Sequence, residues 1–276
     1  PMLPMYIFYS VFGFQRIADL IWAAADQRAR GFLFGATAGR TTLSGEGLQH
    51  QDGTSQLWAS TIATCRAYDP CFAYELGVIM QDGARRMLEA QEDTFYYITV
   101  MNEEYAHPPM PEGVGDHIVR GMYLLQERPD AQIQLLGSGT ILREVLAAAD
   151  LLEREHGIAA NVWSVTSWSE LRWDGMLASG HASAAVREPR GSAEPGATAW
   201  VTQCLEGHAG PIVAATDYVS ALPDLIRPFI PAGRPYVTLG TDGFGRSASR
   251  EELRDFFEVD ARHIAFSAIS ALVREE

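Results

Sequence analysis

The chain has 276 residues, 47% apolar and 20% charged, and a formal net charge of −14, which is enough sequence for one or two buried cores. Such an excess of acid excludes sequence-independent nucleic-acid binding, which needs Lys and Arg to neutralise phosphates, and it excludes docking on an anionic membrane surface. No run reaches the ~18 apolar residues of a membrane-spanning helix, and no basic region leads into an apolar segment as in a signal peptide.

In chain order, MYIFYSVF at 5–12 reads as a buried strand rich in aromatic and branched residues. Residues 14–29 place Ile17, Leu20, Ile21 and Ala24 on one helical face. GFLFGATA at 31–38 is a second strand, Asp69 and Pro70 signal a helix over 71–80 that extends towards Glu89, and FYYITVMN at 95–102 is a third strand. Pro108, Pro109 and Pro111 then break regular structure across 102–113. A helix is expected over 115–125, and ERPDAQ at 127–132 marks the best domain boundary. The second half repeats the alternation. Strands are expected at 133–139, 161–165, 212–216 and 236–239. Helices are expected at 140–156, 167–177, 218–229, 250–257 and 262–274, the first with Leu142, Val145, Leu146, Ala149 and Leu152 along one stripe and the last with Ile264, Ala268 and Leu272 inward. Residues 187–196 read as a surface loop. Strands separated by helices point to an α/β fold of two domains with mostly parallel sheets. Cys65, Cys71 and Cys204 have neither CxxC nor metal-ligand spacing, so reduced thiols in a cytoplasmic protein are expected. Pro1 stands where Met would open a chain, which reads as a processed, truncated or excised piece.

The richest segment is GRTTLSGEGLQHQDG at 39–53, with four glycines, two carboxylates, an imidazole and several hydroxyls. A loop this polar after an apolar strand lines a site more readily than it fills an interior. Glu46 and His50 stand four residues apart. A histidine there is commonly a hydrogen-bonded surface residue, yet it titrates near neutrality and can move a proton, with Glu46 to orient it. The two do not make a metal site, since no third ligand of suitable spacing is evident, and no metal-binding residue is assigned. Tyr6, Phe8, Tyr9, Phe12 and Phe14 ordinarily pack a core strand, but at a strand end they offer a flat face to a planar heterocycle. TLGTDGFGRSASR at 238–250 fits neither a Walker loop nor a GxGxxG fingerprint; its Ser249 with Glu252 has the form of a helix capping box. LGSGT at 136–140 is a similar strand-to-helix turn.

YSVFGFQRIADLIWAAADQRARGFL, GRTTLSGEGLQHQDG, YYITVMNEEYAHPPMPEG, QLLGSGTILREV and LGTDGFGRSASR, in this order, give the chain a resemblance along its whole length to one family. It resembles the C-terminal part of the homodimeric bacterial pyruvate dehydrogenase E1 component, a thiamine-diphosphate enzyme of the transketolase-like superfamily. The resemblance implies the later portion of a pyrimidine-binding domain at 1–127 and a transketolase-like C-terminal domain at 128–276. It implies thiamine diphosphate and Mg²⁺ held between subunits of a homodimer, with Phe12 against the aminopyrimidine, Tyr9 close by, and Glu46 and His50 as polar active-site groups; Arg16 lies in the same motif. The implied reaction is oxidative decarboxylation of pyruvate, with the acetyl unit passed to the lipoyl group of the E2 dihydrolipoyl acetyltransferase. Two family features are not in this chain: the glutamate that activates the aminopyrimidine, and the Gly-Asp-Gly…Asn motif for diphosphate and metal. Both are expected from a missing N-terminal diphosphate-binding domain and the segment before Pro1, so the isolated chain is expected to be inactive. The alternatives are a non-catalytic dimerisation or docking module, a different thiamine-dependent 2-oxo acid dehydrogenase, and a transketolase.

Overall fold

In the computed structural model, which describes residues 2–194 and 196–275, the apolar segments gather into two sheets, one from each half of the chain. The first holds β1 (Met5–Phe8), β2 (Phe32–Ala36), β3 (Cys65–Tyr68) and β4 (Phe95–Val100), all parallel, in the order β1-β2-β4-β3. The helices of this half are α1 (Phe14–Asp26), α2 (Ser55–Ala59), α3 (Ala73–Ala84, continued by a π turn at Arg85–Glu89) and α4 (Gly115–Arg120). β4 is buried along nearly its whole length, as its unbroken FYYITV run requires of an inner parallel strand.

The second sheet holds β5 (Met122–Gln126), β6 (Ile133–Gly137), β7 (Ala160–Val165), β8 (Ile212–Ala215) and β9 (Tyr236–Leu239), in the order β5-β7-β6-β8-β9. Only β5 is antiparallel. Around it lie α5 (Ile141–Leu151, with a π turn at Leu152–His156), α6 (Trp168–Ala178), α8 (Trp200–Glu206), α9 (Arg250–Phe256) and α10 (Ala261–Glu275), whereas α7 (Ala184–Arg190) reaches the first half of the chain, its Arg190 donating to the Ala63 and Cys65 carbonyls. On one face Leu142, Val145 and Ala149 of α5 meet Ile264 and Ala268 of α10, with Leu272 partly buried against them. On the other face Trp163, Trp168, Leu171, Val201 and Tyr218 form a second core. This is an α/β protein with two mostly parallel, helix-flanked sheets.

Several local expectations give way to context. The buried strand expected over 5–12 is instead a short edge strand whose Met5, Tyr6 and Ile7 are exposed, followed by a 3-10 turn at Ser10–Phe12. With β1 at the edge, α1 has little to cover it: Ile21 is buried, but Leu20 is 63% exposed and Ala24 also faces out. The helix expected over 115–125 stops at Gly121, whose φ of +108° ends α4, and the chain turns straight into β5. A side chain at Gly121 would also meet the Ser167 carbonyl at 2.7 Å. β5 therefore pairs with the second sheet although it precedes the Glu127–Gln132 link. The helix expected over 218–229 shrinks to a 3-10 stretch, Pro223–Phe229, since Pro223 and Pro228 cannot donate to a longer α ladder. Residues 187–196 are a loop only after Arg190; before it the segment coils as α7, and Pro195 lies outside the described residues.

The sheets meet where their strands end. The Asp69 N–H, just past β3, donates to the Thr166 carbonyl just past β7 at 2.8 Å, and Gly139 N–H donates back to the Asp69 carbonyl at 3.0 Å. Loops leaving the carboxyl ends of strands from both sheets thus share one region, the usual place for ligands in open parallel sheets.

Candidate functional site

The 3-10 turn after β1 sets Phe12 beside Tyr9, with ring centroids 5.7 Å apart. Buried Ser10 donates its hydroxyl to the Thr37 carbonyl at 3.1 Å, which fixes this turn to the chain leaving β2. Over the aromatic pair lies loop 39–53, where a 3-10 turn at Leu48–His50 carries the imidazole inward. The His50 ring centroid is 5.7 Å from that of Tyr9 and 5.4 Å, edge-on, from that of Phe12. His50 Nδ1 lies 2.9 Å from Glu46 Oε2, and the Tyr9 hydroxyl reaches Glu46 Oε1 at 3.5 Å. Tyr9, Phe12, Glu46 and His50, separated by up to 41 positions in the sequence, thus form one cluster. Arg16 joins it, its guanidinium carbon 4.2 Å from the Phe12 centroid.

The pair of His50 and Glu46 is part-exposed, with side chains 30% and 38% accessible, so a ligand can reach it. An ionised carboxylate can only accept, so the tautomer that suits this contact puts the proton on Nδ1 and leaves Nε2 to take up another.

The interior also holds a group of neighbouring buried acids that sequence reading did not assign to the site. Asp52 accepts from the N–H groups of Thr54 and Ser55 at 3.0 and 2.9 Å and so starts α2. Asp69 accepts from the Thr99 hydroxyl at 2.7 Å and the Ser138 hydroxyl at 2.8 Å. Burial pushes its carboxyl up to about 7; the two hydroxyls pull it down, and nearby Asp217 and Asp52 raise it. The buried Arg40 guanidinium donates to the Thr241 and Gly243 carbonyls. Burial lowers its pKa, against the pull of Asp52, Asp217 and Asp242. A faint signal existed for two of these acids: Asp69 and Asp217 each stand one or two residues after a short buried strand.

The two glycine-rich turns have more modest duties. Ser249 caps α9, its hydroxyl accepting from Glu252 N–H while the Glu252 carboxylate accepts from Ser249 N–H at 3.0 Å, a complete capping box. In LGSGT, Ser138 serves as a hydrogen-bond donor to Asp69. Among the described residues, the one carboxylate–imidazole group compact enough for a metal is Asp255, Asp260 and His263. Arg262 already ion-pairs with both of its aspartates, at 2.8 and 3.1 Å. The three cysteines are unpaired, and no helix of the described residues is long and apolar enough to cross a membrane.

Comparison with known proteins adds the lineage. Residues 1–108 match the family described as the pyruvate dehydrogenase E1 component middle domain, and residues 121–260 the transketolase-like C-terminal domain family. The pyruvate dehydrogenase E1 component of Pseudomonas aeruginosa is 55% identical over 278 residues, covering 99% of this chain and 30% of its own length. That of Escherichia coli K12 is 48% identical over 284 residues, covering 99% of this chain and 30% of its own length. The chain therefore spans about a third of the length of the curated relatives it matches. Among solved structures, transketolase from Leishmania mexicana superposes with a TM-score of 0.71 at 16% identity, covering 99% of this chain and 34% of its own. A split gene transketolase, described as an inactive β4 tetramer, superposes with a TM-score of 0.66 at 16% identity, covering 99% of this chain and 78% of its own. At such identities the two structures speak for the fold alone.

Proposed function

Because this chain belongs to the family of bacterial pyruvate dehydrogenase E1 components, as their C-terminal part, we propose that it supplies the pyrimidine-binding half of a thiamine-diphosphate site. In this reading the complete protein is a homodimer of the cytoplasm that decarboxylates pyruvate oxidatively and passes the acetyl group to the lipoyl group of the E2 acetyltransferase. In this reading the pyrimidine-binding portion ends near Gly121 rather than at residue 127, since β5 already pairs with β7, and a transketolase-like C-terminal domain follows. The observation that carries the reading is the convergence of Tyr9, Phe12, Glu46 and His50 into one accessible cluster.

The cluster suits the organic half of the cofactor. Part-exposed Phe12 and Tyr9 offer aromatic faces to a planar heterocycle, and Arg16 covers Phe12 with a cationic group. The cluster does not suit the other half, since a diphosphate–metal donor set is not formed by these residues; Mg²⁺ and the diphosphate would be held by the remainder of the relatives' length. When bound, thiamine diphosphate supplies the electron sink for breaking the bond to the 2-oxo acid carboxylate. Phe12 and Tyr9 orient the heterocycle, and Glu46 holds the imidazole by Nδ1. Nε2 of His50 is then the atom that takes up or delivers a proton. His50→Ala in the complete enzyme is expected to lower kcat roughly 10²–10⁴-fold, the usual weight of a positioned acid or base, with an unchanged melting temperature. Unchanged turnover in that variant removes His50 from the site.

A second reading applies to the chain by itself, and its span of about a third of its relatives' length favours it. Alone, these 276 residues serve as an assembly module with half a cofactor site. Calorimetric titration of thiamine diphosphate with Mg²⁺ into the isolated chain is expected to give no heat of binding. Micromolar binding there would overturn the divided-site reading.

A further inference from the structure

Loop 39–53 carries Glu46 and His50, yet much of what holds it comes from the other half of the chain. Asp217, fully buried just beyond β8, is the centre of this attachment. Its Oδ1 accepts from the Thr41 N–H at 2.8 Å and the Thr41 hydroxyl at 2.7 Å. Its Oδ2 accepts from the Thr42 N–H at 3.1 Å and the Thr42 hydroxyl at 2.6 Å. Gly39 makes the approach feasible: its φ is +91°, and a Cβ there would stand 2.2 Å from Asp217 Oδ2. Further along, Gly45 N–H donates to the Ala248 carbonyl at 3.0 Å. The Gln51 amide takes the Arg246 N–H at 2.7 Å and donates to the Arg246 carbonyl at 2.6 Å. Arg250 Nε donates to the Thr42 carbonyl at 2.7 Å.

We propose that Asp217 is a positioning residue for the Glu46–His50 pair: its carboxylate clamps Thr41 and Thr42, so that the second sheet sets the place and order of the loop bearing the imidazole. The proposal rests on the reading of Glu46 and His50 as site residues. A loop rich in glycine and poor in apolar side chains loses much backbone freedom when ordered and has few packing contacts in return. Charge-assisted bonds from a buried acceptor are what hold it. An ionised carboxylate presents only acceptors, which matches two threonines that present N–H and hydroxyl donors together. Asn at 217 would keep the shape but turn one end into an NH₂ group facing donors.

Hydrogen exchange on the full 276-residue chain tests this directly, with Asp217→Asn, Thr41→Val and Thr41→Ser compared. In Asp217→Asn and Thr41→Val the amides of 41–50 are expected to exchange at least tenfold faster, with β6 and β7 unaltered. Thr41→Ser, which restores the hydroxyl, is expected to return the loop to near wild-type protection. A second readout is the ¹H–¹³C signal of the His50 ring, which lies within the ring-current fields of Tyr9 and Phe12. It is expected to move towards its free-imidazole position in Asp217→Asn and to stay in place in Thr41→Ser. A folded Asp217→Asn chain with wild-type exchange at 41–50 and an unmoved His50 signal overturns the proposal. If Asp217→Asn does not fold, the Thr41 pair decides, and indistinguishable loop exchange in Val and Ser variants overturns it equally. The outcomes separate from those of the functional reading. A His50→Ala enzyme with full turnover removes the site assignment without altering loop exchange, whereas failure here together with an inactive His50→Ala enzyme removes only the clamp.

Discussion

Replacing Glu170 by Ala is expected to destabilise the protein by about 3–5 kcal/mol, the range found when one partner of a buried ion pair is removed. Glu170 lies on α6, and its carboxylate bridges two arginines: Oε1 accepts from Arg190 Nη1 at 2.5 Å and Oε2 from Arg66 Nη1 at 2.6 Å. Their side chains are only 3% (Arg190), 9% (Glu170) and 11% (Arg66) accessible, so water compensates little for a missing partner. Burial raises the Glu170 pKa, but Arg190 and Arg66 outweigh it and hold the carboxyl below its ordinary value. Arg190 also donates to the Ala63 and Cys65 carbonyls, so the triad joins β3, α6 and the end of α7. Without the carboxylate, two guanidinium groups face each other in a poorly solvated space. Urea unfolding followed by circular dichroism measures the effect; a loss below about 1 kcal/mol, the worth of an exposed pair, would show that water replaces the carboxylate. Exchanging all three residues for apolar ones of similar volume is expected to recover much of the loss, since no buried charge then remains unpaired.

The second large effect is a pH dependence that Asp69 imposes. In the folded chain its carboxyl keeps its proton up to about 7, against about 3.9 for an unfolded aspartate. Between these values the folded state binds more protons than the unfolded one, so stability falls as pH rises. The stabilisation is complete below about pH 4 and is lost as pH climbs through about 7, and a shift of this size corresponds to at most about 4 kcal/mol. Asp69→Asn keeps an acceptor for Thr99 or Ser138 and removes the titration. The variant is expected to show a flatter stability profile from pH 4 to 8 and to gain on the wild type at the alkaline end. Denaturation midpoints at four or five pH values across this range check it, and parallel profiles for the two proteins would assign the titration to another group.

The candidate site was legible in its parts. The spacing of Glu46 and His50 within a glycine-rich loop and the aromatic residues at 9 and 12 could be read directly, because each motif is local. Their meeting could not, because it depends on the turn after β1 and on the return of the chain through β2. The buried acids were less legible still. Asp217 and Thr41 are 176 positions apart, and nothing about an aspartate after a strand reveals which donors will reach it.

The same division runs through the fold. Hydrophobic period and chain punctuation alone determined β4, β6, β7, α5, α9 and α10, where apolar runs, the stripe from Leu142 to Leu152 and the Ser249–Glu252 box act within a few residues of themselves. Those preferences are nearest-neighbour physics and survive any tertiary arrangement. Tertiary structure alone decided that the most apolar opening segment would be an exposed edge, that β5 would leave the first half to pair with β7, and that Arg190 would be buried rather than solvated in a loop. In each case the outcome depends on what lies opposite in space: an absent neighbour for β1, the free edge of β7 for Met122–Gln126, and a carboxylate on α6 for Arg190. Burial and pairing are properties of the partner as much as of the residue, and the partner is not adjacent in the chain.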